Sequence, residues 1–159
     1  MLWAIMVAII TLTIVYVVFN YFSIKRMPEG TEDMIEMAKI IRDGSVTFLR
    51  TEFKMIIIVC CVLALIFSLF IEKTSGLTFL LGSLMSSIVC ILGMKSATYA
   101  NVRTANKARE SKSIGETVKV ALLGGSISGL SVQAFGLLGL ILTLIIWGFN
   151  LDETSTGLL

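Results

Sequence analysis

Four long apolar runs divide the chain, and almost all charged residues lie between them. The runs cover about residues 1–24, 55–71, 77–94 and 120–149. A helix of about 20 apolar residues, with a range of roughly 17–25, crosses a hydrocarbon core ~30 Å thick. The second run, 55–71, is at the short end of this range. The pattern predicts an all-α membrane protein with four transmembrane helices, the whole of 1–159 forming a single transmembrane region.

A cleaved signal peptide is the competing interpretation of the first run. Such a peptide has positive charge before its apolar stretch and small residues at a cleavage site. Here Lys25 and Arg26 follow the stretch instead. We therefore expect an uncleaved helix, with Trp3 and Tyr21 at the two membrane interfaces.

The segment 31–54 follows a break at Pro28 and Gly30 and has an apolar and a charged face at helical period. Thr31 is expected to cap this helix at its N-terminus. We expect an amphipathic segment that lies at the membrane surface, or packs on other helices, and leads into the second span. A solvated connecting helix with one packed face is the simpler of these interpretations.

The remaining connections are predicted from their composition. Residues 72–76 are expected to form a tight turn between the second and third spans. The third helix is expected to continue beyond the membrane through Lys95–Arg109, because neither Pro nor Gly interrupts that stretch. Asn150–Leu159 is interpreted as a short polar tail.

Lys and Arg residues predict the orientation of the helices. Segments 25–54 and 95–119 carry six each of the 13 positive residues, and Lys73 is the remaining one. With four spans these two segments share one side, which the positive-inside rule makes cytoplasmic. The prediction is N-out/C-out, with an amphipathic cytoplasmic segment between helices 1 and 2 and a cytoplasmic extension of helix 3.

Composition agrees with membrane insertion and excludes several kinds of chemistry. Hydrophobic residues make up 56% of the chain and charged residues 15%, against about 45–50% and 25% in soluble domains. Histidine is absent, which excludes His-based acid/base catalysis and metal ligation. Cys60, Cys61 and Cys90 lie in apolar runs, where packing is the expected role. A net charge of +2 gives no indication of nucleic-acid binding.

Small residues recur at spacing four in the third and fourth runs, as in closely packed membrane helices. They are Gly82, Ser86 and Cys90, and then Ala121, Gly125, Gly129 and Gln133. We expect helices 3 and 4 to pack on each other or on further helices. Gln133 is identified as the one strongly polar side chain well inside a span. An interhelical hydrogen bond is favoured over a place in an ion path, because an amide does not titrate.

The stretch 93–109 is basic and rich in side chains that form hydrogen bonds, and two interpretations of it stay open. It is either a positively charged anchor with a helical extension or part of a vestibule that attracts anions. No nucleotide-binding, hydrolase or metalloprotease motif occurs in the chain. The carboxylates between the runs alternate with Lys and Arg, as on solvated helices.

Three stretches carry a family resemblance: GMKSATYANVRTANKAR (93–109), MAKIIRDGSVTFLRTEFKMI (37–56) and VALLGGSISGLSVQAFGLLGL (120–140). They resemble the membrane-bound, ion-translocating (H⁺ or Na⁺) inorganic pyrophosphatases. The first is similar to the segment after the third helix of that family, the second to the approach to its second helix, and the third to its Gly-rich fourth helix. Ser45 and Phe53 replace the usual Ala and Tyr. The matching residues expected to be structural are Gly44, Phe48, Leu49, Glu52, Gly93, Lys95, Thr98, Asn101, Arg103, Thr104, Asn106, Gly125 and Gly129.

The resemblance implies a homodimeric pump that hydrolyses magnesium pyrophosphate, in some members with K⁺, and exports H⁺ or Na⁺. Its substrate and Mg²⁺ carboxylates lie on later helices, in Asp-rich motifs resembling GADLVGKVE, and no such motif occurs here. No catalytic, cofactor-binding or metal residue is therefore assigned. Helix packing is assigned to Gly82, Ser86 and Gln133.

Two functions from different classes follow. The first is the N-terminal part of an ion-translocating inorganic diphosphatase in a prokaryotic cytoplasmic membrane, with the lipid bilayer and the remaining helices or a second copy as partners. Pyrophosphate would bind only to the complete enzyme, and activity of this chain alone stays open. The second is an independent four-helix membrane scaffold or subunit without hydrolytic activity. A small transporter is disfavoured, because no ionisable residue lies deep in a span.

Overall fold

The computed structural model describes residues 2–147, which form four α-helices and no β-strand. The helices are α1 (Leu2–Lys25), α2 (Glu32–Phe70), α3 (Lys73–Ser111) and α4 (Ile114–Trp147). Within residues 2–147 all four are long and apolar enough to cross a membrane. The predicted all-α class is confirmed, and the four helices match the four predicted spans in number. The predicted tail at 150–159 and the end of the fourth apolar run lie outside the described residues.

Helices α2 and α3 are much longer than the apolar runs within them. Each has 39 residues and a length of roughly 58 Å, about twice the thickness of a hydrocarbon core. The segment 31–54 is the first half of α2 rather than a separate helix, because no proline interrupts it and Gly44 is accommodated. Helix α3 continues through Lys95–Arg109, as the sequence predicts.

The break between α1 and α2 forms where the sequence places it. Helix α1 ends at Lys25, and Gly30 has a φ of +104°, a conformation that favours glycine. Thr31 occupies the N-cap position of α2 in an extended conformation. Its carbonyl accepts a hydrogen bond from the Ile35 amide at 3.0 Å, but its side chain makes no capping bond, so the predicted cap is correct in position only.

The turn between α2 and α3 is shorter than the predicted 72–76. Only Ile71 and Glu72 separate the two helices. Gly76 lies inside α3, where a Cβ atom would collide with the carbonyl of Ala64 on α2. The glycine is therefore a contact point between helices, which sequence composition alone did not distinguish from a turn residue.

The four helices form an open layer rather than a closed bundle. Helix α3 packs between α2 and α4, and α4 packs between α3 and α1, while α2 packs on neither α1 nor α4 in the described residues. The C-termini of α1 and α3 and the N-termini of α2 and α4 lie at one end, which we call the basic end. Many apolar side chains on α1 and α2 face outward, as expected of surfaces that meet lipid or further helices.

Candidate functional site

The basic end is centred on Arg103, a residue of α3 whose side chain is 4% exposed. Its Nε donates to the Met27 carbonyl at 3.0 Å, and its Nη1 donates to the Tyr99 carbonyl at 2.8 Å. Its Nη2 donates to the Lys25 carbonyl at 3.1 Å and lies 2.9 Å from Glu29 Oε1. Four of the five guanidinium N–H donors therefore have internal partners. Three of these partners belong to the end of α1 and to residues 26–31, which we call the α1–α2 connector.

Glu29 also binds Arg42 of α2, with 2.7 Å between Oε2 and Nη2. The hydrogen bond from Arg42, with the nearby charge of Arg103, holds the pKa of the Glu29 carboxyl below its ordinary value, although burial opposes this shift. The same hydrogen bond raises the pKa of Arg42. One carboxylate thus joins α2 to α3 through two arginines.

The ring of Tyr99 completes this group. The Arg42 guanidinium carbon lies 4.9 Å from the ring centroid, and that of Arg103 lies 5.4 Å from it, both in cation–π geometry. We call Glu29, Arg42, Tyr99 and Arg103, with the connector carbonyls that Arg103 binds, the interlock. Its polar groups are directed at one another and at the backbone.

Asn106 lies one helical turn beyond Arg103 and is 1% exposed. Its Nδ2 donates to Glu110 Oε1 at 3.0 Å and approaches the Pro28 carbonyl at 3.5 Å, the limit for a hydrogen bond. A Cβ atom on Gly30 would lie 2.8 Å from Asn106 Oδ1. The connector therefore fits closely against α3, and the glycine is required both for its φ and for space.

Close contact between α3 and α4 depends on small residues that face each other. Ser96 is 1% exposed and donates to the Gly124 carbonyl at 3.0 Å. A Cβ atom on Gly124 would collide with Ala100, and one on Gly93 would lie 2.8 Å from Ser128 Oγ. The two backbones approach each other here because no larger side chain separates them.

Two polar contacts tie α4 to its neighbours near the basic end. Asn20 of α1 is 3% exposed and donates to Ser126 Oγ at 3.2 Å. Lys107 and Glu116 pair at 2.8 Å across the α3–α4 turn, where both are exposed to solvent. Their mutual hydrogen bond raises the pKa of Lys107 and lowers the pKa of Glu116.

The structure brings only some of the sequence-predicted residues into this region. Gly93, Arg103 and Asn106 lie in the contacts just described. The hydroxyl groups of Thr98 and Thr104 return to carbonyls of their own helix. The other predicted residues near the basic end face outward or are half-buried on α2 and α3; they are Gly44, Phe48, Leu49, Glu52, Lys95 and Asn101.

The predicted packing residues lie on outward-facing surfaces. Gly82 and Ser86 are exposed beside a groove between α2 and α3, and not in the α3–α4 contact. Gly125, Gly129 and Gln133 are exposed on α4, and a Cβ atom on either glycine would meet nothing within 4 Å. The first predicted alternative was that α3 and α4 pack on each other. They do so, but through small residues other than the predicted ones. Packing of these exposed faces on further helices stays a prediction.

Sequence reasoning missed several residues of this region. Asn20 is also an amide in an apolar run, a signal as clear as that of Gln133, but no role is assigned to it from the sequence. Glu29, Arg42 and Tyr99 looked like ordinary polar residues, because their partners are distant in sequence. Ser96 and Ser126 lie among many other small residues, and nothing in the sequence distinguishes them as the ones that form hydrogen bonds between helices.

The described residues do not fit a magnesium site. Within residues 2–147, no three acidic or cysteine side chains converge in the manner of metal ligands. The carboxylate of Glu29 is already bonded to two arginines, whose charges repel a divalent cation. We therefore derive no step through Mg²⁺ from this part of the protein.

Comparison with known proteins assigns the chain to a family. Residues 11–158 match the family model described as "Inorganic H+ pyrophosphatase". The chain is 48% identical to the K(+)-stimulated pyrophosphate-energized sodium pump of Thermotoga maritima over 129 residues, covering 81% of this chain and 18% of the pump. It is 30% identical to the K(+)-insensitive pyrophosphate-energized proton pump of Methanosarcina mazei over 139 residues, covering 86% of this chain and 20% of that pump.

The chain spans about a fifth of the length of these curated relatives. The match nevertheless includes α2, α3 and α4 completely and most of α1. With four apolar helices and this match over nearly its whole length, the chain is a multi-pass integral membrane protein that belongs to the membrane-bound, ion-translocating inorganic pyrophosphatase family.

Proposed function

We propose that the chain is the N-terminal four-helix part of a pyrophosphate-energised ion pump, which couples hydrolysis of magnesium pyrophosphate to translocation of H⁺ or Na⁺. In this proposal the four helices are supporting elements, and the catalytic groups lie on polypeptide beyond them. The names of the relatives, which include both sodium and proton pumps, support the pump assignment and leave the ion open.

The internal use of the Arg103 donors is the observation on which the supporting role rests. Four of its five N–H groups are bonded to the backbone and to Glu29, so the guanidinium has little capacity left for a phosphate. Arg42 is likewise bonded to Glu29 and to the Ala38 carbonyl. This favours the anchor interpretation of the 93–109 stretch over an anion vestibule.

The exposed small faces support a place within a larger assembly. Gly125 and Gly129 leave the surface of α4 smooth, and the amide of Gln133 faces away from the other described helices. A polar amide that faces lipid is unfavourable, whereas one that faces another helix forms a hydrogen bond. We propose that the remaining helices of the pump cover this face.

Orientation and location form part of the same proposal. The basic end lies in the cytoplasm and both termini lie outside, because 12 of the 13 positive residues belong to the segments at that end. The membrane is a prokaryotic cytoplasmic membrane, in line with the bacterial and archaeal sources of the relatives. The complete pump is a homodimer that uses Mg²⁺ and, in a K⁺-stimulated form, K⁺.

Complementation tests the proposal. The chain is expressed in bacterial membranes alone and together with the downstream part of the Thermotoga maritima pump, beginning where the match ends. Magnesium-dependent pyrophosphate hydrolysis is then measured in both membranes. We expect activity only in the paired sample. Activity of the chain alone would contradict the supporting role, and inactivity of a stably inserted pair would favour the independent four-helix scaffold.

A further inference from the structure

A cavity of about 390 Å³ opens between α1, α3 and α4 at the basic end of the membrane span. Its volume lies within the ~300–1,000 Å³ typical of ligand sites. On α1 its wall extends from Ile14 to Phe22, nine residues whose Cα atoms span roughly 12 Å along the helix axis. The cavity is therefore elongated along the helices and, in an inserted protein, across one half of the bilayer.

The wall of the cavity is apolar except at its polar end and at one deep position. Lys95 lines the polar end, and its side chain is exposed. Tyr21 lies on the same wall, a residue type enriched at membrane interfaces. Within residues 2–147 no carboxylate pairs with Lys95. The charged group of Lys95 therefore lies at the polar end of an otherwise apolar cavity.

The deep position is Ser131, which is 1% exposed. Its Oγ is buried without a hydrogen-bond partner among the described residues. Other hydroxyl groups in the spans, such as those of Thr13, Ser87 and Thr143, bond to the carbonyl four residues before them. An unpaired hydroxyl in an apolar wall is unfavourable. The Ser131 Oγ atom is itself buried, so a rotation about the Cα–Cβ bond is needed to direct it at an acceptor in the cavity, and that hydrogen bond would relieve the cost.

The spacing of these two groups restricts the ligand. Ser96, next to Lys95, bonds to Gly124, and Ser131 lies seven residues, or roughly 10 Å, further along α4. A glycerophospholipid has a phosphate at its polar end, ester carbonyls a few atoms below it and an acyl chain below these. A phosphate at Lys95 and an ester carbonyl at Ser131, each at hydrogen-bond distance, would bridge the separation.

We propose that this cavity is a binding site for one acyl chain of an anionic phospholipid, with Lys95 holding the phosphate and Ser131 donating to an ester carbonyl. The charge of Lys95 favours an anionic over a zwitterionic headgroup, as in other basic sites between membrane helices. The proposal requires only that the chain is inserted in a membrane, so it does not depend on the pump activity proposed above.

Photolabelling in a bilayer tests the site. The full chain is reconstituted into phosphatidylcholine nanodiscs with a trace of phosphatidylglycerol bearing a diazirine in its acyl chain, and the labelled residues are mapped by mass spectrometry. We expect labelling concentrated on the cavity wall, at residues such as Val18 and Phe135. Even labelling over all outward apolar faces would overturn the proposal, because it would indicate ordinary surrounding lipid.

Variants separate the parts of the site. Ala134→Trp fills the cavity from a buried wall position and is expected to abolish the wall labelling, whereas Ala121→Trp on the exposed face of α4 leaves it unchanged. Ser131→Ala and Lys95→Gln, which preserve the shape of the cavity, are each expected to lower labelling about fivefold. The Lys95 effect should vanish with a labelled diacylglycerol, which has no phosphate.

The remaining helices of a pump are the competing occupant of the cavity. The labelling is therefore repeated with the downstream part of the Thermotoga maritima pump present. Retention of the wall labelling supports a lipid site in the assembled protein. Its loss, with the chain still folded, would overturn the proposal and identify the cavity as an interface between helices.

Discussion

Arg103 of α3 and Glu29 of the α1–α2 connector form an ion pair with 2.9 Å between Nη2 and Oε1, in a region where the Arg103 side chain is 4% exposed. Arg103 also binds the backbone next to Glu29. The same guanidinium binds the carbonyl of Lys25, the last residue of α1, and that of Met27, just after the helix, where carbonyls lack helical partners. Arg103, near the C-terminus of α3, thus supplies hydrogen bonds to the carbonyls at the end of α1.

Replacement of Arg103 by Met is expected to lower the free energy of unfolding by about 3 kcal/mol, because Glu29 loses one of its two arginine partners and the Lys25 and Met27 carbonyls lose their donor. Arg50→Met, at an exposed position of α2, is the matched control and should change stability by no more than about 0.5 kcal/mol. Denaturant titration in detergent micelles measures both. Equal effects would show that the interlock contributes nothing specific.

The stability supplied by Glu29 should depend on pH. Its pKa in the folded protein is lowered from 4.5, chiefly by the hydrogen bond from Arg42. The folded state therefore binds the proton less readily than the unfolded state. The contribution is fully present above pH 4.5 and is lost as the pH falls through the lowered value.

Comparison with Glu29→Gln isolates this contribution from other carboxylates. The difference in unfolding midpoint between the native chain and the variant should be largest near neutral pH and shrink in acid below pH 4.5. Thermal melts over this range provide the measurement. A difference that stays constant with pH would mean that the Glu29 charge is not what stabilises the connector.

The sequence predicts the helices well and their contacts poorly, for a physical reason. A membrane span is determined by local apolar length, so the four apolar runs became four helices. The partners of Arg103 are main-chain carbonyls of a distant connector, and no periodicity in the sequence reports on them. Asn20 was predictable, because a lone amide in an apolar run requires a partner.

The same limit applies to the small residues. Gly82 and Gly124 both stand in stripes of small residues, yet the first faces a groove and the second contacts Ala100. Spacing at four shows that a smooth face exists, but not which helix it meets. That choice depends on the packing of all four helices, which composition does not specify.

Two glycines in different conformations should respond to alanine in opposite ways. Gly30→Ala introduces a side chain at a φ of +104° and places its Cβ 2.8 Å from Asn106 Oδ1, so a loss of about 1–2 kcal/mol is expected. Gly44→Ala lies inside α2 with no neighbour within 4 Å, so a gain of about 0.5–1 kcal/mol is expected. Unfolding titrations of the two variants check the signs, and a shared sign would contradict the connector geometry.

Leucine at two positions of α4 should separate folding of the four-helix unit from its assembly with further helices. Gly124→Leu places a large side chain against Ala100 and should unfold or strongly destabilise the chain by itself. Gly129→Leu adds a side chain on an exposed face with no neighbour within 4 Å, so the isolated chain should keep its unfolding midpoint. If that face packs on the remaining helices, however, Gly129→Leu should abolish pyrophosphate hydrolysis in the complementation assay. Full complementation by Gly129→Leu would instead mean that this face of α4 meets lipid.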